Sequence, residues 1–156
     1  MAHFLGMVLD SKLSWKSQGV AALAKGQDWL SRLRHIAKTT KGIHAKYIRW
    51  LYLAVAVPCM LYVVDIFFTP QTHIGKRNEY GKYTQTFAKE MTAIQRQVAL
   101  LIMGVLSSAP TDAVKTMANL LPFNLLVDKI QHSMALQLTS LPPQHPLSKL
   151  VANAAS

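Results

Sequence analysis

The residues that could do chemistry in this chain are few among the acids and many among the bases. Its seven carboxylates are Asp10, Asp28, Asp65, Glu79, Glu90, Asp112 and Asp128. Polymerases and nucleases that work through two metal ions need carboxylates close enough to share the ions. The nearest pair here, Glu79 and Glu90, is eleven positions apart. No catalytic residue is therefore assigned, and the chain is expected not to be an enzyme. The histidines are His3, His35, His44, His73, His132 and His145, none within three to five positions of another, and Cys59 has no second thiol. Zinc sites are built from His and Cys at such short spacings, so no metal site is expected. There is no Gly-x-Ser-x-Gly elbow and no glycine-rich phosphate loop, and hence no expected cofactor or small-molecule substrate.

The cations are another matter. Seventeen Lys and Arg stand against seven acids, a net charge of +10. They crowd toward the start, with nine bases and two acids in residues 1–49 but three and two in residues 97–156. A field of this sign favours polyanions. Lys12, Lys16, Lys25, Arg32, Arg34, Lys38 and Lys41 form one candidate nucleic-acid-binding set. Lys82, Lys89 and Arg96, repeating every seventh residue, form a second. Cations along a helix can track a phosphate backbone and give affinity that salt weakens; the solvated face of an ordinary helix has the same composition. Trp15 and Trp29 could stack on bases, although the position of Trp29 suits a core better.

Positioning these groups calls for helices. Residues 3–9 are short and apolar and read as a strand, with a tight turn at Asp10-Ser11. Over residues 20–38, Ala22, Leu23, Gly26, Trp29, Leu30, Leu33, Ile36 and Ala37 share one helical arc, with Lys25, Asp28, Arg32, Arg34, His35 and Lys38 opposite. Gly42 is placed to cap that helix in a left-handed conformation. A second helix is expected from Ile43, kinked or broken by Pro58. A third, Lys82 to Leu106, carries the stripe Phe87, Met91, Ile94, Val98, Leu101, Ile102 and Val105. A short fourth fits Thr111 to Leu121, capped by Ser108 or Thr111, with Asp112 in its first turn. Pro122 separates it from a fifth with the stripe Phe123, Leu126, Val127, Ile130, Met134 and Leu138. Leu141 to Pro146 reads as extended, and Leu147 to Ser156 as a loose tail. The fold class is mainly α, a helical bundle with a short N-terminal β-hairpin or strand.

About half the chain is hydrophobic, enough for a real core in one domain of this length. Trp50 to Phe68 contains a single charge, Asp65, and the roughly 20 residues a bilayer span needs make a membrane anchor the alternative to a buried helix. No signal peptide is apparent, so the expected location is cytoplasmic or nuclear.

One block carries more than local structure. Leu5-Gly6-Met7-Val8-Leu9-Asp10-Ser11-Lys12-Leu13-Ser14-Trp15 resembles the Leu-Gly-x-x-Leu-Asp-x-x-Leu-x-Trp stretch that follows the palm in non-LTR (LINE-type) retrotransposon reverse transcriptases. Leu5, Gly6, Leu9, Asp10, Leu13 and Trp15 are the matching positions. Further segments are similar to the fungal branch of these elements, in the same order: Trp29-Leu30 with Leu33-Arg34; Lys41-Gly42; Leu51 to Pro58 followed by Leu61-Tyr62; Ile94-Gln95-Arg96 with Leu100 and Gly104, then Ser107 to Ala113; Leu120-Leu121-Pro122 with Leu125-Leu126; and Leu141 to Leu147. The chain departs from the pattern at Gln18, where the family usually has His, at Val63, where Tyr-Gly is common, and at Met103, where Thr precedes the glycine.

The resemblance implies the end of a primer-side hairpin over residues 1–18, a helical thumb and connection over 19–140, and an extended tail over 141–156. It further implies a truncated RNA-directed DNA polymerase fragment, non-catalytic by itself because the paired aspartates are absent. Its partners would be template–primer duplex and a reverse transcriptase palm domain. Against such a palm, Met7, Val8, Val55, Val57 and Phe67 would be exposed apolar surface.

Overall fold

The computed structural model describes residues 2–11, 15–37, 42–68, 79–142 and 144–155. It is mainly helical, with one antiparallel hairpin at the start. Strand β1 (Ala2–Phe4) pairs with β2 (Met7–Leu9), placing His3 opposite Val8. Of the hairpin or strand expected at the start, the structure has the hairpin, with its turn at Leu5 and Gly6 rather than at Asp10-Ser11; their φ values of 47° and 80° are both left-handed. Two such residues in a row make the tight turn whose twist matches a hairpin, and Gly6 adopts that conformation without strain.

Helix α1 (Lys16–Ile36) packs against β2 and carries the buried arc read from the sequence: Ala22, Gly26, Leu30 and Leu33 are buried, and Leu23, Trp29, Ile36 and Ala37 half-buried. It starts earlier than its apolar pattern, because Gln18, only 2% exposed, accepts the Val8 N–H at 2.9 Å and so ties the hairpin to the helix. The helix ends at Ile36, with the Ala37 N–H on the Leu33 carbonyl. Gly42 lies beyond that end and does not cap it. The Ile43 N–H bonds the Ile36 carbonyl at 3.2 Å.

Helix α2 (Ala45–Leu51) is capped by the His44 ring, which accepts the Lys46 N–H. It runs through a π-helical turn (Tyr52–Ala56) into α3 (Val57–Met60). Pro58 neither breaks the helix nor leaves it regular. A proline inside an α-helix removes a donor and collides with the carbonyl four residues back; here the widened turn precedes it, with the Val57 N–H reaching back five residues to Tyr52. After a turn in which Val63 has φ 68°, the short α4 (Val64–Phe67) follows. Tyr52, Ala56, Val57, Met60, Leu61, Val64 and Phe68 all lie in the hydrophobic core. The apolar stretch 50–68 therefore supplies much of the core, with Trp50, Tyr62 and Ile66 left exposed, and among the described residues no helix is long and apolar enough to cross a membrane. Val57 is buried, and Met7, Val8, Val55 and Phe67 half-buried, not the open apolar surface expected of them.

The central helix α5 (Glu79–Met103) buries Phe87, Met91, Ile94, Val98, Ala99 and Ile102. It ends before Leu106 because Gly104, at φ 63°, gives its N–H to Leu100 in a left-handed cap; Val105, on the expected stripe, is exposed. Helix α6 (Thr111–Met117) starts from Pro110, which has no side-chain oxygen to cap with, and the Thr111 hydroxyl, inside the first turn, accepts from Arg96. Helix α7 (Phe123–Thr139) begins after Pro122 and buries Phe123 and Val127, while Met134 and Leu138 are exposed. Phe67, Phe68, Phe87 and Phe123 meet with centroids 5.5–6.2 Å apart, joining α4, α5 and α7. The end of the chain differs from the extended, loose tail expected: His145 donates to the Pro142 carbonyl in a turn, and α8 (Ser148–Ala155) follows.

Candidate nucleic-acid interface

Successive residues of an α-helix lie about 100° apart. Helix α1 therefore divides its cations between the two flanks of the buried arc. Lys25 and Arg32 follow one flank, Lys16 and Arg34 the other, and Asp28 and His35 stand between them; all six are exposed. The cations make two rows rather than one face.

On the first flank Arg32 Nε donates to Asp28 at 2.9 Å, and its guanidinium lies 5.5 Å from the centre of the Trp29 ring. An exposed pair of this kind is weak and leaves the cation available to a stronger anion. Trp29, half-buried against the core, forms one wall of an open cleft of about 410 Å³ lined by Lys25, Asp28, Trp29, Pro58, Cys59 and Tyr62. On the second flank Arg34 donates to Gln97 of α5, which fixes it at the seam between the two helices.

The seven-residue series on α5 is not a uniform row. Lys89 is exposed. Arg96 is half-buried and engaged within the chain: Nε donates to the Thr111 hydroxyl at 2.9 Å, and one terminal nitrogen to the carbonyls of Ser107 and Ala109. It fastens the loop ahead of α6 and is not presented to a phosphate. The Lys82 side chain and all of Lys12, Lys38, Lys41 and Leu13 lie outside the described residues. Of the other motif positions, Leu5 and Gly6 form the hairpin turn, Leu9 and Asp10 end β2 half-buried, and Trp15 precedes α1 with φ 56°. The Tyr62 hydroxyl donates to the Leu5 carbonyl at 2.8 Å, holding that turn against the bundle.

Two groups drawn from outside the candidate set shape the surroundings. Arg49 donates to the carbonyls of Ala118 and Asn119, so α6 is gripped by an arginine at each end. Burial lowers the Lys115 ammonium from its ordinary range, with Asp112 opposing. Inside the core, burial pushes the Tyr52 phenol up to about 12, with Gln95 beside it acting the other way. Gln95 donates to the Leu121 carbonyl at 2.7 Å, and its Oε1 is buried without a hydrogen-bond partner.

The sequence reading passed over one feature. His44, Tyr47 and Trp50 follow one another along α2 as edge-to-face neighbours, with centroids 6.4 and 5.8 Å apart. Tyr47 and Trp50 are 55% and 52% exposed, and the Lys46 ammonium sits 4.9 Å from the centre of the Trp50 ring. The available signal was the three-residue spacing of aromatics beside a lysine, masked by the apolar run that follows. Among the described residues no group of three His, Cys, Asp or Glu could hold a metal ion. Compared with protein-family models, curated proteins and solved structures, the chain finds no match in any of the three.

Proposed function

We propose that this chain is a non-catalytic, nucleic-acid-gripping segment of reverse transcriptase origin, similar to the thumb and connection of non-LTR retrotransposon enzymes. Its role is to hold template–primer duplex through exposed cations, and a palm domain is the partner that would supply catalysis. The observation that carries the binding part is the pair of cation rows on α1, Lys25 with Arg32 and Lys16 with Arg34, on a helix whose single acid, Asp28, is already paired. Lys89 adds to the set from α5.

Support for the origin comes from backbone conformation. The family pattern has glycine at the places of Gly6, Gly42, Val63 and Gly104. Three of these residues, Gly6, Val63 and Gly104, have left-handed φ, 80°, 68° and 63°; Gly42 is not one of them. Glycine adopts positive φ without strain, so left-handed backbone at three of those four places supports the reading, with Val63 a branched residue in a conformation that suits glycine.

The test is a filter-binding titration of RNA–DNA duplex at two salt concentrations. If four to five phosphates are neutralised, affinity falls by roughly a thousand-fold between about 50 and about 300 mM salt. Alanine at both Lys25 and Arg32 should flatten that dependence by about two phosphates' worth. Equal retention at both salts, or none at either, overturns the proposal.

A further inference from the structure

We infer that the exposed aromatic ladder of α2 is a second contact site, one that stacks the bases of single-stranded nucleic acid running off the cations of α1. The inference rests on the binding part of the proposed function and adds to it a strand type and a set of residues.

Position is the first ground. The Ile43 N–H is bonded to the Ile36 carbonyl, so the ladder begins where α1, with Arg34 and His35 in its last turn, leaves off. A strand whose phosphates lie along α1 meets His44, Tyr47 and Trp50 next. Exposure is the second ground. Ile48 and Tyr52 are buried and anchor the helix to the core, while Tyr47 and Trp50, half open to water, meet edge to face, Tyr47 beside His44 and Trp50 beneath the Lys46 ammonium. Large aromatic rings left in solvent on a firmly packed helix offer apolar faces of the size of a base.

Charge selects the occupant. Between Asp28 and Asp65 the chain has no acid, so nothing on α2 repels a phosphate or answers a basic peptide. The Lys46 ammonium lies over the Trp50 ring on a flexible stem. A base settling on that ring displaces the ammonium, which then reaches the adjoining phosphate. Aromatic stacking with a cation alongside is the recurrent means of holding single strands without sequence preference.

The experiment uses the full chain and fluorescence anisotropy with two labelled probes, a single-stranded oligo(dT) of about 12 nucleotides and a blunt RNA–DNA duplex. The variants are Tyr47→Ala with Trp50→Ala, and Trp50→Phe alone; both sites are exposed, and far-UV circular dichroism verifies the fold. The double alanine variant is expected to weaken oligo(dT) binding by roughly ten-fold or more while duplex binding stays within about two-fold, and Trp50→Phe to retain most of the single-strand affinity. Unchanged oligo(dT) affinity in the double variant, with duplex binding intact, overturns the inference and leaves the proposed function standing. Failure of the unmodified chain to bind either probe overturns the proposed function and the inference with it. Sedimentation showing a dimer that the double variant abolishes also overturns it, by assigning the ladder to a second copy of the chain.

Discussion

At the scale of single residues, the junctions of this molecule depend on atoms with little freedom. A Cβ added at Gly26 would lie 2.9 Å from Ile94 Cδ1 and 3.1 Å from Met60 Sδ, where α1 meets α5 and α3. Both neighbours are ends of flexible side chains. Gly26→Ala should therefore stay within about 1 kcal/mol of neutral, since better helix propensity offsets the crowding. Gly26→Val brings branched bulk to the same point and should destabilise by roughly 1–3 kcal/mol in urea unfolding. Gln18 is a second such point, since its carbonyl oxygen alone receives the buried-side Val8 N–H from the helix. Gln18→Ala should lose about 1–2 kcal/mol and speed hydrogen exchange at the Val8 amide. Gln18→His, the residue the family pattern favours, should restore protection above pH 7, where a neutral ring nitrogen can accept. Exchange at Val8 that is indifferent to both changes would show the hairpin held by other contacts.

At the scale of elements, α6 is short and is secured by two side chains rather than by its own caps. Arg96 serves the loop before it and Arg49 the carbonyls behind it. Arg96→Ala removes the donor of two partly buried acceptors, the Thr111 hydroxyl and the Ala109 carbonyl, and should lower stability by about 2–3 kcal/mol. Arg96→Lys should recover little, because an ammonium cannot span the same fork of acceptors; a thermal melt of the lysine variant matching the parent would refute this. The same residue shows what could be read in advance. The buried arcs of α1 and α5 were legible because apolar periodicity records burial directly. The role of Arg96 was not, because a seven-residue repeat gives its angle on the helix but not the loop that folds over it. The place of the hairpin turn, the form of the irregularity at Pro58 and α8 were not legible, for a related reason. Left-handed Leu5, a widened helical turn and a helix after three prolines are all settled by backbone bonds that side-chain pattern does not encode. The exposure of Lys16, Lys25, Arg32, Arg34 and Lys89 was legible, but the division of the α1 cations into two rows and the aromatic ladder emerge only in the folded chain.

At the scale of the whole molecule, the core gives an alkaline limit to stability. Tyr52 is 3% exposed, and its phenol ionises at about 12 in the fold against an ordinary 10.0. The protonated form is the one the fold accommodates. Its contribution is complete below pH 10 and disappears as pH climbs from there to about 12, a loss of roughly 3 kcal/mol for this group. Tyr52→Phe should flatten that part of the stability profile measured by urea unfolding at stepped pH, whatever it does at pH 7. An alkaline limb of unchanged steepness would mean that other groups set it.

The widened turn at Tyr52–Ala56 has a consequence for how this stretch can change. It houses one surplus residue, and that surplus rotates everything downstream by about 100°, which is how Met60 comes to face Gly26. Composition there is forgiving, since Ala54 is exposed and Ala54→Ser should pass unnoticed. Length is not. Deleting Ala54 would dial the following turn out of phase, set Pro58 against a carbonyl, and abolish the cooperative melt that the serine variant keeps.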